Sequence, residues 1–160
     1  VTIGGVGPNL FSSSPSEGIR LLQEFTDAPD RDKLLRWLNS MVYDRKIVTE
    51  ELIEERWEAA NDPAAQKTAA MMYGSKAFAM MQQYQANADT PPYWAMMHKV
   101  KCPTLLTWGR DDRVSPPDMS LAPMRLIPNA ELHIFPNCGH WVMIEAKEAF
   151  EATVRAFLTR

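Results

Sequence analysis

Two rhythms of apolar residues divide the chain. Between residues 16 and 88 they recur at three- and four-residue spacing, the period of helices that bury one face. Ile19, Leu22 and Phe25 mark a first helix. Leu34, Leu35, Leu38, Met41 and Val42 mark a second, opening at Asp30. Leu52, Ile53 and Trp57 mark a third, opening at Thr49 with Glu50 and Glu51 in its first turn, where the helix dipole favours negative charge. A fourth helix runs over roughly 63–88 after Asn61-Asp62-Pro63, with Gly74 as a break or kink. Ser14-Pro15-Ser16-Glu17 reads as the start of the first helix, with Ser14 as cap, Pro15 at the first position and Glu17 closing a capping box. From Cys102 the rhythm changes. Cys102–Trp108 and Ala130–Phe135 are short apolar runs of strand length, each ending in a loop and followed by a helix. Pro123 shortens or kinks the helix between them, and Phe150, Val154, Phe157 and Leu158 mark the helix after the second.

Strand, loop, helix, strand, loop, helix is an α/β alternation, and parallel pairing is expected. Val1-Thr2-Ile3 reads as the tail of a strand that begins earlier, and Gly4–Pro8 as its loop. The chain is thus expected to be the C-terminal portion of a longer protein. It divides into strand end and connector (1–9), a helical insertion (10–97) and two terminal β-α units (98–160).

Chemistry gathers at the two strand ends, the edge where open α/β sheets place their sites. The first runs into Gly109-Arg110-Asp111-Asp112, the second into Asn137-Cys138-Gly139-His140-Trp141. A carboxylate after one strand and a histidine after the next make the acid–base half of a Ser/Asp/His triad, in the chain order of the α/β-hydrolases. No G-x-S-x-G elbow occurs, so the nucleophile is expected outside these residues. His98 and His133 carry no such context and read as structural. Arg56 stands three residues after Ile53 and four after Leu52 on the third helix. On an apolar face it requires an anion, unless a neighbouring glutamate pairs with it or it reaches solvent. Seven of the ten methionines, Met41 among them, fall between residues 41 and 97, either as adaptable pocket lining or as ordinary helical core.

Composition narrows the partners. The 160 residues carry 46% hydrophobic residues, enough for one core, and a net charge of −3 with no basic block, which argues against nucleic acid. No apolar run approaches the ~20 residues that cross a bilayer. Two cysteines make no disulfide framework and fit a reduced cytoplasm.

The chain resembles the meta-cleavage product hydrolases, α/β-hydrolases that cleave carbon–carbon bonds in bacterial aromatic and steroid breakdown. The resemblance rests on Gly4–Phe11, Ser16–Ile19, Val42–Asp44, Thr49–Ile53, Arg56–Ala59, Trp108–Arg113 and Cys138–Trp141. It implies the C-terminal part of an α/β-hydrolase, mostly parallel sheet, with a helical lid inserted. It implies Asp112, rather than Asp111, as triad acid and His140 as general base. Arg56 would bind the substrate's carboxylate, Trp141 would pack beside the substrate, Cys138 would line the site, and the methionine-rich lid, Met41 included, would hold the substrate's variable apolar end. The implied substrate is a small 2-hydroxy-6-oxohexa-2,4-dienoate. The nucleophile would come from the N-terminal half of the same protein, with no metal or organic cofactor, and a homo-oligomer is the default. Alternatives are an ester, epoxide or haloalkane hydrolase, a small-molecule receptor on the same scaffold, and a non-catalytic partner of a separate chain.

Overall fold

In the computed structural model, which describes residues 1–5 and 7–160, the chain forms a three-stranded parallel sheet with a block of helices between its first and second strands. Val6, within the Gly4–Phe11 run, lies outside the described residues. The strands are β1 (Thr2–Ile3), β2 (Thr104–Gly109) and β3 (Ala130–Phe135), in the order β1-β2-β3. Register places Thr2 beside Leu106, and Thr104 to Gly109 beside Ala130 to Phe135 in step. The two longer strands therefore end level, and their loops leave side by side. Every residue of β2 is buried, as the central strand of a sheet covered on both faces must be.

Among the described residues, five α-helices precede β2: α1 (Glu17–Asp27), α2 (Arg31–Met41), α3 (Glu50–Ala60), α4 (Pro63–Tyr73) and α5 (Ser75–Asn87). Three caps form as their side chains dictate. Asp30 accepts from the Lys33 amide, Thr49 from Leu52 and Asp62 from Ala65. The expected 63–88 helix is two helices, because Gly74 takes an extended conformation between them. Its turn is held by Asp27, whose carboxylate accepts the Ser75 amide at 3.0 Å and also bonds the Ser75 hydroxyl.

The start of α1 differs from the expectation. Ser16, not Ser14, is the cap residue, and its hydroxyl donates to the Val114 carbonyl at 2.5 Å instead of capping its own helix. The Gly18 amide donates to the Arg113 carbonyl at 2.9 Å. A Cβ on Gly18 would meet the Val114 side chain at 2.5 Å, so this first turn is pressed against the loop that follows β2.

The core of the helical block joins Phe25, Leu34, Leu38 and Ile53, with Trp37, Trp57 and Trp141 packed around them. Leu34, Leu38 and Met41 lie inward on α2, whereas Leu35, expected with them, is exposed. A second core lies under β3, where Phe135, Cys138 and Val142 pack against Ile3 and Phe150. After β2 come a short 3₁₀ turn and α6 (Leu121–Leu126), which contains buried Pro123 and is only six residues long. After β3 come α7 (Val142–Glu145) and α8 (Lys147–Leu158). Phe150 of α8 reaches the core, but Leu158, expected on the same face, is exposed. No helix among the described residues is long and apolar enough to cross a membrane.

Candidate active site

The two loops that leave β2 and β3 are knitted together by main chain. The Arg110 amide donates to the Phe135 carbonyl and the Asp111 amide to the Cys138 carbonyl, each at 2.9 Å. They lie so close that a Cβ on Gly109 would fall 1.9 Å from the Gly139 carbonyl oxygen. Only glycine fits there. Asn137 turns the second loop with φ of 52°, a left-handed conformation that asparagine tolerates, and its side chain accepts from Arg110 at 3.0 Å.

This close approach brings Asp112 and His140 together, 28 residues apart in sequence. Asp112 Oδ2 lies 2.8 Å from His140 Nδ1. The other carboxylate oxygen accepts the Val114 and Ser115 amides, both at 2.8 Å. The carboxylate is thus fixed from both sides, and its side chain is only 1% exposed. A carboxylate offers only acceptors, so we assign Nδ1, facing Oδ2, as the protonated ring nitrogen, leaving Nε2 to exchange a proton. Gly4 lies over the pair with φ of 59°; a Cβ there would stand 3.5 Å from both Asp112 Oδ2 and His140 Cε1.

His140 lines a cavity of about 940 Å³ between the sheet edge and the helices. Ile19, Leu22, Phe25, Trp37 and Met41 form its near wall; Tyr73, Phe78 and Met81 of α4 and α5 form its far wall. Ser12, Ser13, Ser14 and Asn9 add a polar border. A volume of this size, mostly apolar with a few convergent polar groups, suits a small organic molecule.

Of the six residues singled out in the sequence, the structure brings Asp112, His140 and Met41 to this place. Arg56 is exposed and is not among the residues lining the cavity. Its helix buries Ile53, with Trp57 and Ala60 partly buried beside it, and Arg56 stands about 60° round the axis from Ile53, far enough for its long side chain to reach water. Cys138 is fully buried beneath the loop, between Phe135 and Val142, rather than lining the cavity. Burial, with Glu145 and then Asp112 and Asp111 nearby, pushes its thiol up to about 12, so it stays protonated near neutral pH. Trp141 packs against the core of the helical block and against a second cluster of Met41, Val42 and Val114, joining the His140 loop to both, but does not line the cavity. Among the methionines, Met41, Met81 and Met119 line the cavity, whereas Met71, Met72, Met80 and Met96 are exposed. His133 lies tilted against the Phe135 ring and His98 bonds the Ala95 carbonyl, both away from the site.

Glu145 is a site feature that the sequence reading left without a role. Its carboxylate accepts the Gly139 amide at 2.8 Å and the Tyr43 amide at 2.6 Å. Burial raises its pKa, and the backbone amides that donate to it pull in the opposite direction. Its signal was the glutamate that closes Gly139-His140-x-x-x-x-Glu145.

The alpha/beta hydrolase fold family matches residues 8–147. A curated relative from Comamonas testosteroni, 2-hydroxy-6-oxononadienedioate/2-hydroxy-6-oxononatrienedioate hydrolase, is 35% identical over 97% of this chain and 51% of its own length. The 2-hydroxy-6-oxo-6-phenylhexa-2,4-dienoate hydrolase of Burkholderia cepacia is also 35% identical, over 97% of this chain and 51% of its own. Among solved structures, the meta-cleavage product hydrolase CumD of Pseudomonas fluorescens IP01 superposes with a TM-score of 0.75 at 30% identity, covering 91% of this chain and 50% of CumD. The chain spans about half the length of the curated relatives it matches. Its parallel strands, its helical block and its match over residues 8–147 place it plainly: the chain belongs to the alpha/beta hydrolase fold family.

Proposed function

We propose that the whole protein, of which this chain supplies the acid, the histidine and most of the helical lid (10–97), hydrolyses a carbon–carbon bond in a ring-opened 2-hydroxy-6-oxohexa-2,4-dienoate. The observation that carries the reading is the 2.8 Å contact between Asp112 and His140 Nδ1, with the imidazole lining an apolar cavity of small-molecule size. The activities of the relatives, at about one-third identity over nearly the whole chain, supply the substrate class.

In this mechanism Asp112 holds the tautomer and orientation of His140 and stabilises the imidazolium as it forms. The dienol first ketonises, which makes the carbon–carbon bond breakable, with proton transfers that need a group poised near neutral pH. His140 Nε2 then takes the proton of a serine hydroxyl from the N-terminal half, and the serine attacks the ketone carbon. The carbon–carbon bond breaks with its electron pair on the departing carbon, the imidazolium returns its proton to that fragment, and 2-hydroxypentadienoate leaves behind an acyl-serine and a neutral Nε2. Water, activated by the same Nε2, frees the second carboxylic acid. One water is consumed per bond broken, and no metal or organic cofactor enters the steps.

Arg56 is assigned to the substrate's carboxylate. From its exposed position on α3, that role holds if the cavity of the whole protein extends to this flank. Trp141 is assigned a supporting part beside the substrate, through its packing against the His140 loop and the helices. We further place the protein in a reduced cytoplasm, in keeping with its two free cysteines, and as a homo-oligomer, by resemblance.

The test is isotopic. The whole protein is incubated with 2-hydroxy-6-oxo-6-phenylhexa-2,4-dienoate in ¹⁸O-water, and the products are identified by mass. Benzoate carrying ¹⁸O, in equal amount with hydroxypentadienoate, is expected. Substrate recovered intact would contradict the proposal.

A further inference from the structure

Three consecutive residues at the end of α2 are gripped by the loops that carry Asp112 and His140. The Met41 carbonyl accepts the His140 amide at 2.7 Å. The Val42 carbonyl accepts from the Arg113 guanidinium at 3.2 Å, and the same group reaches the Asn39 carbonyl. The Tyr43 amide donates to Glu145 Oε2 at 2.6 Å, while Oε1 of that carboxylate accepts the Gly139 amide at 2.8 Å. One side chain therefore bridges the residue before His140 and a residue two positions beyond Met41, a wall of the cavity.

The contact is tight at the level of backbone. A Cβ on Gly139 would stand 2.7 Å from the Met41 carbonyl oxygen, and 2.9 Å from both the Tyr43 nitrogen and Glu145 Oε1. The two segments have no slack between them, and Glu145 holds a main-chain donor on each side of the seam. Bonds from backbone amides to a carboxylate are stronger than those to a neutral acceptor and fix geometry better. Nothing in this arrangement requires Glu145 to meet substrate; its effect travels through His140 and Met41.

We propose that Glu145 is a positioning residue, whose carboxylate locks the His140 loop to the Met41–Tyr43 segment so that the imidazole and the cavity wall keep one fixed relation during proton transfer. This rests on the reading of Asp112 and His140 as the acid–base pair. Misplacing a reacting group by about 1 Å can cost on the order of 100-fold in rate, so a bridge of this kind acts on kcat. Binding, carried by the apolar walls, should change little.

The test uses the whole protein and its E145Q and E145D variants. Glutamine keeps the shape but offers one carbonyl oxygen and turns its amide NH2, a donor, toward the other N–H. Aspartate is too short to span both. Turnover is read with p-nitrophenyl acetate and with the 6-phenyl dienoate, and amide hydrogen exchange is read at Gly139 and Tyr43. We expect kcat per folded protein to fall roughly 10- to 100-fold with KM within about threefold, and both amides to exchange faster in the variants. Unchanged kcat in both variants, or activity that falls only in step with the folded fraction, would overturn the proposal. So would failure of both variants to fold, which would make Glu145 a stability residue. A parent protein that turns over neither probe would sink the acid–base reading instead, while the exchange rates still report whether the bridge exists.

Discussion

The corner that holds Asp112 and His140 and the outer arm made by α4 and α5 are built by opposite rules. In the corner every residue of β2 is buried, Asp112 is 4% exposed, and glycines stand where a single added carbon would strike backbone. Neither α4 nor α5 buries a single residue fully, and Met71 and Met80 are each 71% exposed. Both nevertheless face the same cavity, the corner through His140 and the arm through Tyr73, Phe78 and Met81. Proton transfer tolerates little displacement, whereas an apolar substituent can be held by many side-chain arrangements. A rigid corner opposite an adaptable arm is the division of labour expected when one end of a substrate reacts and the other varies.

Breaking the corner should cost most. Asp112→Asn keeps the shape but favours the wrong histidine tautomer, and should lower kcat by roughly 10²- to 10⁴-fold with little change in KM, read by steady-state kinetics on the whole protein. Next comes a paired measurement of stability. Gly139→Ala forces apart two backbone segments and should cost about 1–3 kcal/mol or more, while Met80→Ala on the arm should stay within about 0.5 kcal/mol, both by urea unfolding. If the two substitutions proved equal, the contrast between the regions would fail.

Cysteine chemistry sharpens the same contrast. With its thiol held up to about 12 and fully buried, Cys138 should resist iodoacetamide at pH 8 in the folded protein, while exposed Cys102 is alkylated. Mass spectrometry of the peptides reads both. The smallest effect belongs to the arm's hinge. Bonds from the Ser75 hydroxyl and amide hold the Asp27 carboxyl below its ordinary value. A folded-state pKa below the unfolded one stabilises the protein above the unfolded value, near 4, and that contribution is lost as pH falls through the folded value. The melting-temperature gap between the parent and Ser75→Ala should therefore be present at pH 6–7 and shrink as the solution is acidified below about 4.

Much of this was legible in the sequence because local chemistry decided it. Asp30, Thr49 and Asp62 cap where their side chains predict, Gly74 breaks the long helix, the strand at 130–135 matches its apolar run, and that at 104–109 ends one residue past its own. A carboxylate paired with His140 followed from two strand ends in the right order, and the family resemblance chose Asp112 over Asp111. What stayed hidden depended on three-dimensional phase. Arg56 lies at the flank of a buried stripe, and spacing from Leu52 alone did not say on which side the stripe is centred; Leu52 itself is only half-buried. Cys138 is two residues from His140, but the left-handed turn at Asn137 sends its side chain under the loop while the imidazole faces the cavity. Ser16 displaced Ser14 as cap because its hydroxyl found a carbonyl 98 residues away, at Val114. Glu145 joins segments 102 residues apart, which no local periodicity encodes.

The measurement that tests the central claim most directly is the visible absorbance of the dienolate of 2-hydroxy-6-oxo-6-phenylhexa-2,4-dienoate, followed in the presence of the whole protein and of its His140→Ala variant. Catalytic loss of the band with the parent, slowed by roughly 10⁴-fold or more in the variant, is the predicted result. Near-parental turnover by His140→Ala would contradict it, because the histidine that Asp112 holds would then have no part in the chemistry.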